Sequence, residues 1–366
     1  MNKIGFGFLR LPLTNPEDNS SINWELLDEL VAYFLNHGGY YFDTAYTYMD
    51  GISEIALREA VTKKYPRSKL WITDKLPSWK IKTPEDCRRI FEEQLERCGV
   101  SYFDTYMLHW LNDANYRKCE KFDEFGFLRQ LKQEGKIRHI GFSYHDHAEL
   151  LDRILTEHPE VEYVQIQLNY LDWESPAVQA GKCYETAVKH GKKVIVMEPV
   201  KGGTLASLSK EAENVLLGAH PDESVASWAI RFAQSKEQVE VVLSGMNAMD
   251  QMIDNMRPVE PLSEEETAAL WKACGIIKND VRIPCTGCRY CVSQCPNNIA
   301  IPDYFALYNE RFYSKTEKWK FAPAYRQLAE SHGKASDCVE CRLCENSCPQ
   351  KLPITDYLKM VAGEFE

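Results

Sequence analysis

The chain has 366 residues, 44% of them hydrophobic, and a formal charge of −11 at pH 7. That length suits one large domain plus a small one, or two to three ordinary ones, and the composition is that of a soluble globular protein. No apolar run nears the roughly 18 residues of a membrane span, and an acidic surface repels phosphate backbones, so neither a membrane nor a nucleic acid is an expected partner.

The start, Met1–Leu13, is apolar but broken by Arg10 and Pro12. It reads as a strand or hairpin rather than a secretory signal, and a cytoplasmic location is expected. Strands are predicted near Ile4–Leu9, Tyr40–Ala45, Lys69–Lys75, Phe103–His109, His139–Ser143, Glu162–Leu168, Lys193–Glu198 and Val239–Ser244. Helical patterns lie between them, over Ser53–Val61, after Thr83-Pro84-Glu85-Asp86 and over Asp146–Leu155. The second of these offers an N-cap, a proline at the first helical position and acids in the first turn. Eight such βα units closing on themselves make a TIM (β/α)8 barrel. The rival, an open doubly wound sheet, would carry a G-x-G-x-x-G turn after its first strand. Gly5-Phe6-Gly7 is only a fragment of that, and a hairpin glycine pair explains it better.

The barrel is placed at 1–258 and a helical connector at 259–280. Arg257–Asp280 is charged and helical in pattern, with Ser263 capping Glu264-Glu265-Glu266. A small, mainly helical cluster-binding domain is placed at 281–366. The stretch from Asn297 to Asp337, rich in Tyr, Phe and Trp, reads as helices.

Thirteen cysteines are unevenly spread. Cys285, Cys288, Cys291 and Cys295 precede Pro296, and Cys338, Cys341, Cys344 and Cys348 precede Pro349. Both runs read C-x2-C-x2-C-x3-C-P, the ligand spacing of a ferredoxin with two [4Fe–4S] clusters. By the rule for that motif, three thiolates of a run hold one cluster and the fourth completes the other. Cys285, Cys288, Cys291 and Cys348 then form one ligand set, and Cys338, Cys341, Cys344 and Cys295 the second. Zinc needs four ligands per site but neither the third close cysteine nor the closing proline, and no disulfide framework is expected in a cytosolic chain. Cys87, Cys98, Cys119, Cys183 and Cys274 show no ligand spacing.

Chemistry in a TIM barrel sits at the C-terminal strand ends. Asp43 ends the second predicted strand, Tyr48 follows it, Lys75 ends the third and His109 the fourth. The segments Asp43-Thr44-Ala45-Tyr46-Thr47-Tyr48, Trp71 to Leu76 and Leu108-His109-Trp110 resemble the catalytic tetrad of the aldo-keto reductase family in type, order and strand. The resemblance spans about residues 1 to 260, and with the cysteine runs the chain resembles the iron–sulfur-containing members. It implies an oxidoreductase that interconverts a small-molecule carbonyl and an alcohol. Independently, reducing a carbonyl with hydride needs a proton for the developing alkoxide. A tyrosine of pKa near 10 donates poorly unless a cation lowers it. Lys75 is expected to supply that charge, Asp43 to hold the lysine, and His109 to orient the carbonyl oxygen.

The resemblance also implies a nicotinamide site. Ser143 and Gln165 correspond to the carboxamide partners, with Tyr144 where members commonly carry asparagine. Met197 stands where many place an aromatic ring. Gly202, in Pro199-Val200-Lys201-Gly202-Gly203, falls in the loop over the pyrophosphate. Ser244, Asn247, Gln251 and Asn255 follow the eighth strand. Gly245 and Gln251 occupy positions where NADP-dependent members carry Lys and Arg, so NAD and NADP both remain open. His145 and His147 form H-x-H without a third ligand, and Glu198 is either a second acid–base group or a partner of Lys201. The alternative function is electron transfer to a redox partner protein, with an altered barrel. A relay between single electrons and a hydride would call for an intermediary such as FMN.

Overall fold

Eight parallel strands pair in sequence order and close on themselves: β1 Ile4–Gly7, β2 Tyr41–Asp43, β3 Trp71–Leu76, β4 Phe103–Leu111, β5 Ile137–Tyr144, β6 Tyr163–Gln167, β7 Lys193–Met197 and β8 Val239–Ser244. This computed structural model describes residues 3–16, 18–176, 178–258, 260–313 and 321–366. Each predicted strand is present, and β8 has the predicted bounds. The hairpin glycine pair is a correction. Gly5 and Gly7 lie within β1 itself. A Cβ on Gly5 would sit 2.6 Å from Val241 Cγ1 and 2.9 Å from Leu243 Cδ2. The glycine is there because β8 leaves no room for a side chain.

Alternation along the strands sets two levels inside the barrel. The lower holds the cluster of Tyr41, Met107, Tyr163, Ile195, Val241 and Leu243. Two residues further along their strands stand Asp43, His109, Gln165 and Met197, on the same face. The tight apolar level is thus the floor under the polar one.

The predicted start of helix Pro84–Cys98 is present, with Asp86 Oδ2 accepting from the amides of Lys82 and Thr83, both at 3.0 Å. Helix Ile52–Leu57 runs on through a wider turn over Arg58–Thr62. Helix Glu264–Asp280 begins after Ser263, whose Oγ accepts from Glu266 N at 3.1 Å. The expected helix from Arg257 is shortened, because Pro258 and Pro261 lack the amides that a helix interior requires.

The chain forms two compact units, Met1–Pro199 with Ile230–Pro261 and Val200–Ala229 with Leu262–Glu366. In the second, helix Lys210–Ala219 packs on helix Glu264–Asp280. Helices Ile301–Tyr313, Ala322–Ser331 and Ile354–Phe365 surround a core of Ile299, Ile301, Tyr304, Phe305, Ile354, Leu358 and Val361. The helices expected between Asn297 and Asp337 are therefore present on both sides of 314–320, which lie outside the described residues. Among the described residues no helix is long and apolar enough to cross a membrane.

Gly5→Val should cost the barrel about 1–3 kcal/mol through overpacking. Urea unfolding followed by tryptophan fluorescence checks this, and an unchanged midpoint would show that the floor of the barrel can yield.

Candidate active site and cysteine-lined cavities

Lys75 is fully buried at the end of β3. Its Nζ lies 2.7 Å from Asp43 Oδ2, 2.8 Å from the Thr44 carbonyl and 3.4 Å from the Tyr48 hydroxyl. The His109 ring meets the Tyr48 ring edge-on, with centroids 5.6 Å apart. The structure thus brings together all four residues expected from the strand ends. The Trp79 ring lies 5.0 Å from that of His109, and the Trp110 ring lies 5.4 Å from that of Trp79.

Burial pushes the Tyr48 hydroxyl well above its ordinary range, and Asp43 and Asp74 push the same way. Arg10 is the opposing cation. The resting group is a neutral phenol loaded with its proton rather than one already eased toward phenolate. Burial raises Asp43, with Lys75 pulling against it. His109 is held well below the usual histidine value, first by burial and then by Lys75 and His145. Its imidazole is neutral, so one ring nitrogen carries a proton and the other does not. Nδ1 has no hydrogen-bond partner among the described residues.

Ser143 and Gln165 are adjacent on β5 and β6. Ser143 Oγ accepts from Trp110 N at 2.7 Å, which leaves its hydroxyl proton to donate. Gln165 Nε2 points to Met197 Sδ at 3.8 Å, and its buried Oε1 has no partner among the described residues. Tyr144 turns to the other face of β5, where its hydroxyl donates to the His147 carbonyl. Asn255 Nδ2 donates to Ser244 Oγ at 3.0 Å, and Gln251 Oε1 accepts from Asn247 N at 3.0 Å, so the four are held as two pairs. Gly202 belongs to the second unit and faces Thr286. His145 and His147 join no group of three or more close ligand atoms among the described residues.

Sequence reasoning missed Arg10 as a site residue. A Cβ on Gly245 would lie 3.3 Å from Arg10 Cβ, so this arginine stands beside the loop after β8. Its position just past the end of β1 was the available signal.

In the second unit, Cys285, Cys288, Cys291 and Cys348 line one hollow. Cys295, Cys338, Cys341 and Cys344 line another. Burial raises the Cys291 thiol, and Cys288, Cys285 and Cys348 add to that. Cys344 is pushed up to about 11, by burial first and with Cys338 and Cys295 contributing. The backbone repeats as well. The offset that carries Cys285 onto Cys338 carries Gly287 onto Glu340, Arg289 onto Arg342 and Asn298 onto Lys351. All six have left-handed φ, of 63 and 53, 63 and 58, and 50 and 52°. It also carries helix Ile301–Tyr313 onto helix Ile354–Phe365.

Comparison with known proteins agrees with both halves. The Aldo/keto reductase family profile matches residues 3–274, and a 4Fe-4S dicluster domain profile matches 284–353. An aldo-keto reductase of Mycolicibacterium vanbaalenii is 27% identical over 250 residues, covering 66% of this chain and 81% of the relative. The NADH-specific methylglyoxal reductase of Escherichia coli is 29% identical over 147 residues, 36% of this chain and 44% of its own. A crystal structure of an aldo/keto reductase from Klebsiella pneumoniae in complex with NADP and acetate superposes with a TM-score of 0.58 at 20% identity, over 74% of this chain and 90% of that one. The chain belongs to the aldo/keto reductase family of oxidoreductases and carries a 4Fe-4S dicluster domain at its C-terminal end.

Proposed function

We propose that the barrel interconverts a carbonyl and an alcohol with a nicotinamide cofactor, and that the C-terminal unit holds two [4Fe–4S] clusters. The observation that carries the first part is the buried Lys75 ammonium between Asp43 and Tyr48. When bound, a nicotinamide supplies or receives the hydride. Tyr48 gives its proton to the oxygen of the reacting carbonyl. Lys75, 3.4 Å away, stabilises the phenolate left behind, and Asp43 keeps the lysine in place. Neutral His109 donates a hydrogen bond to the same oxygen without competing for the proton. The pair of Ser143 and Gln165 suits a carboxamide, which needs one donor for its carbonyl and one acceptor for its amino group. The unpartnered Gln165 Oε1 supports that reading.

For the second part, the donor sets fit the group: four cysteine sulfurs around each cavity, with the fourth drawn from the other run. Clusters of this type, when bound, pass single electrons. Flavin gains no support, whereas the relatives' names speak of NADH and NADP.

Tyr48→Phe should lower the turnover of carbonyl reduction by about 10²–10⁴-fold while the dissociation constant for cofactor stays unchanged. Steady-state rates and fluorescence titration check the two halves, and a variant keeping most of its turnover would assign the proton to another group.

Glycine and glutamine stand at positions 245 and 251, and Arg10 is the cation beside Gly245. NADH and NADPH should therefore bind within about tenfold of each other, about 1.4 kcal/mol. Direct titration of each gives the ratio. A much stronger hold on NADPH that disappears in Arg10→Ala would place the 2′-phosphate on that guanidinium.

Protein prepared without oxygen should contain about eight irons and as many labile sulfides per chain. Stoichiometric zinc without sulfide would rule the clusters out.

A further inference from the structure

The two cysteine cavities are built on one repeated backbone, yet their surroundings differ at matching positions. Thr286 lies between the first two cysteines of its run and is 2% exposed, whereas its counterpart Val339 is 62% exposed. Cys288 is half-buried, whereas its counterpart Cys341 is exposed. The cover over the first loop is the segment Lys201–Ala206 of the same unit. Gly202, at φ +64°, comes so close that a Cβ would stand 2.0 Å from the Thr286 carbonyl oxygen. No other residue type fits at that point, because the atom in the way is backbone.

Beside it, Lys201 is 1% exposed, and its own φ of 49° is one that non-glycine residues rarely adopt. Its Nζ lies 3.4 Å from Gln350 Oε1. Gln350 and Thr286 both line the cavity of Cys285, Cys288, Cys291 and Cys348, and neither lines the other. A strained backbone and a buried lysine are two local costs at one residue, and both serve to bring an ammonium behind this cavity. Arg289 also lines it, but that side chain is 46% exposed and pairs with Asp303 at 2.9 Å, so solvent screens its charge.

Four thiolates leave a cluster site net negative, and reduction by one electron adds a further negative charge with no bond broken. In a buried hollow that charge is poorly solvated, and a nearby fixed cation stabilises it. We propose that Lys201 raises the reduction potential of the cluster held by Cys285, Cys288, Cys291 and Cys348, and of that cluster alone. The inference rests on the cluster assignment proposed above.

The test uses the full-length holoprotein, titrated with dithionite under argon and followed by electron paramagnetic resonance. Cys341→Ser marks the open cluster, because a harder oxygen ligand favours its oxidised state and lowers its potential. Lys201→Met should leave the iron content unchanged and lower the other potential. The expected tenfold change in that cluster's reduction equilibrium is about 59 mV for one electron. Lys201→Arg, which keeps the charge, should restore most of it, and Arg289→Gln should move it far less. Unchanged potentials in Lys201→Met, or a shift in the marked cluster, would overturn the inference while leaving the clusters in place. Wild-type protein without iron and sulfide would instead overturn the assignment beneath it. Should Lys201→Met and Lys201→Gln both lose iron, retention by Lys201→Arg would support the charge role, and loss there too would reduce Lys201 to packing.

Discussion

A lysine ammonium with no exposed surface is the constraint on which the barrel's proposed chemistry depends. Lys75 enters the barrel because β3 alternates, and alternation leaves it only the polar level above the apolar floor. Burying that charge is tolerable only beside a carboxylate, and Asp43 lies 2.7 Å away. Removing one member of a buried pair costs about 3–5 kcal/mol, so the ion pair fixes its own geometry. Burial acts first on the Tyr48 hydroxyl and the His109 ring, and the pair adds to it, Asp43 at the first and Lys75 at the second. Burial excludes water and keeps the phenol protonated, and the ammonium helps to keep the imidazole neutral. A protonated phenol and a neutral imidazole thus stand beside one buried pair.

The cysteine unit depends on a different constraint, backbone rather than charge. Wrapping three cysteines of a run around one cavity needs left-handed residues between them, and they recur at Gly287 and Arg289 and again at Glu340 and Arg342. Only one of those four is glycine. The remaining strain, about 1–3 kcal/mol per residue, is held by the surrounding structure. The helices that follow each run bring Ile301 and Ile354 into one core, so the two halves of the repeat share their apolar interior.

Periodicity made the barrel legible. Strand existence follows from alternating or continuous apolar runs, and all eight were readable. Boundaries moved by a few residues because pairing, not propensity, decides where a strand stops. The four candidate catalytic residues were legible because chemistry in this fold gathers at the C-terminal strand ends. The cysteine sets were legible because the spacing itself encodes the geometry. What stayed hidden depends on distant approach. Gly5 looked like a turn residue because nothing local reveals Val241 above it. Lys201 looked like a loop cation because its contact with Gln350 spans 149 positions. Arg10 looked like a break in an apolar stretch, and only the fold brings it to Gly245.

The electron count joins the two proposed chemistries. A hydride carries two electrons, whereas a cluster of this type accepts one at a time. One site would accept only one of the two electrons, whereas the two proposed sites on one chain match the pair. Two identical sites in a repeated fold would take their electrons at similar potentials, and each would resist the second through repulsion. A cation beside one site separates them by environment rather than by sequence. The repeat supplies the number of sites, and the segment that lies over only one of them, with Lys201 at its head, supplies the difference. Under the proposed assignment, symmetric ligands beneath an asymmetric cover give two one-electron sites of unequal potential.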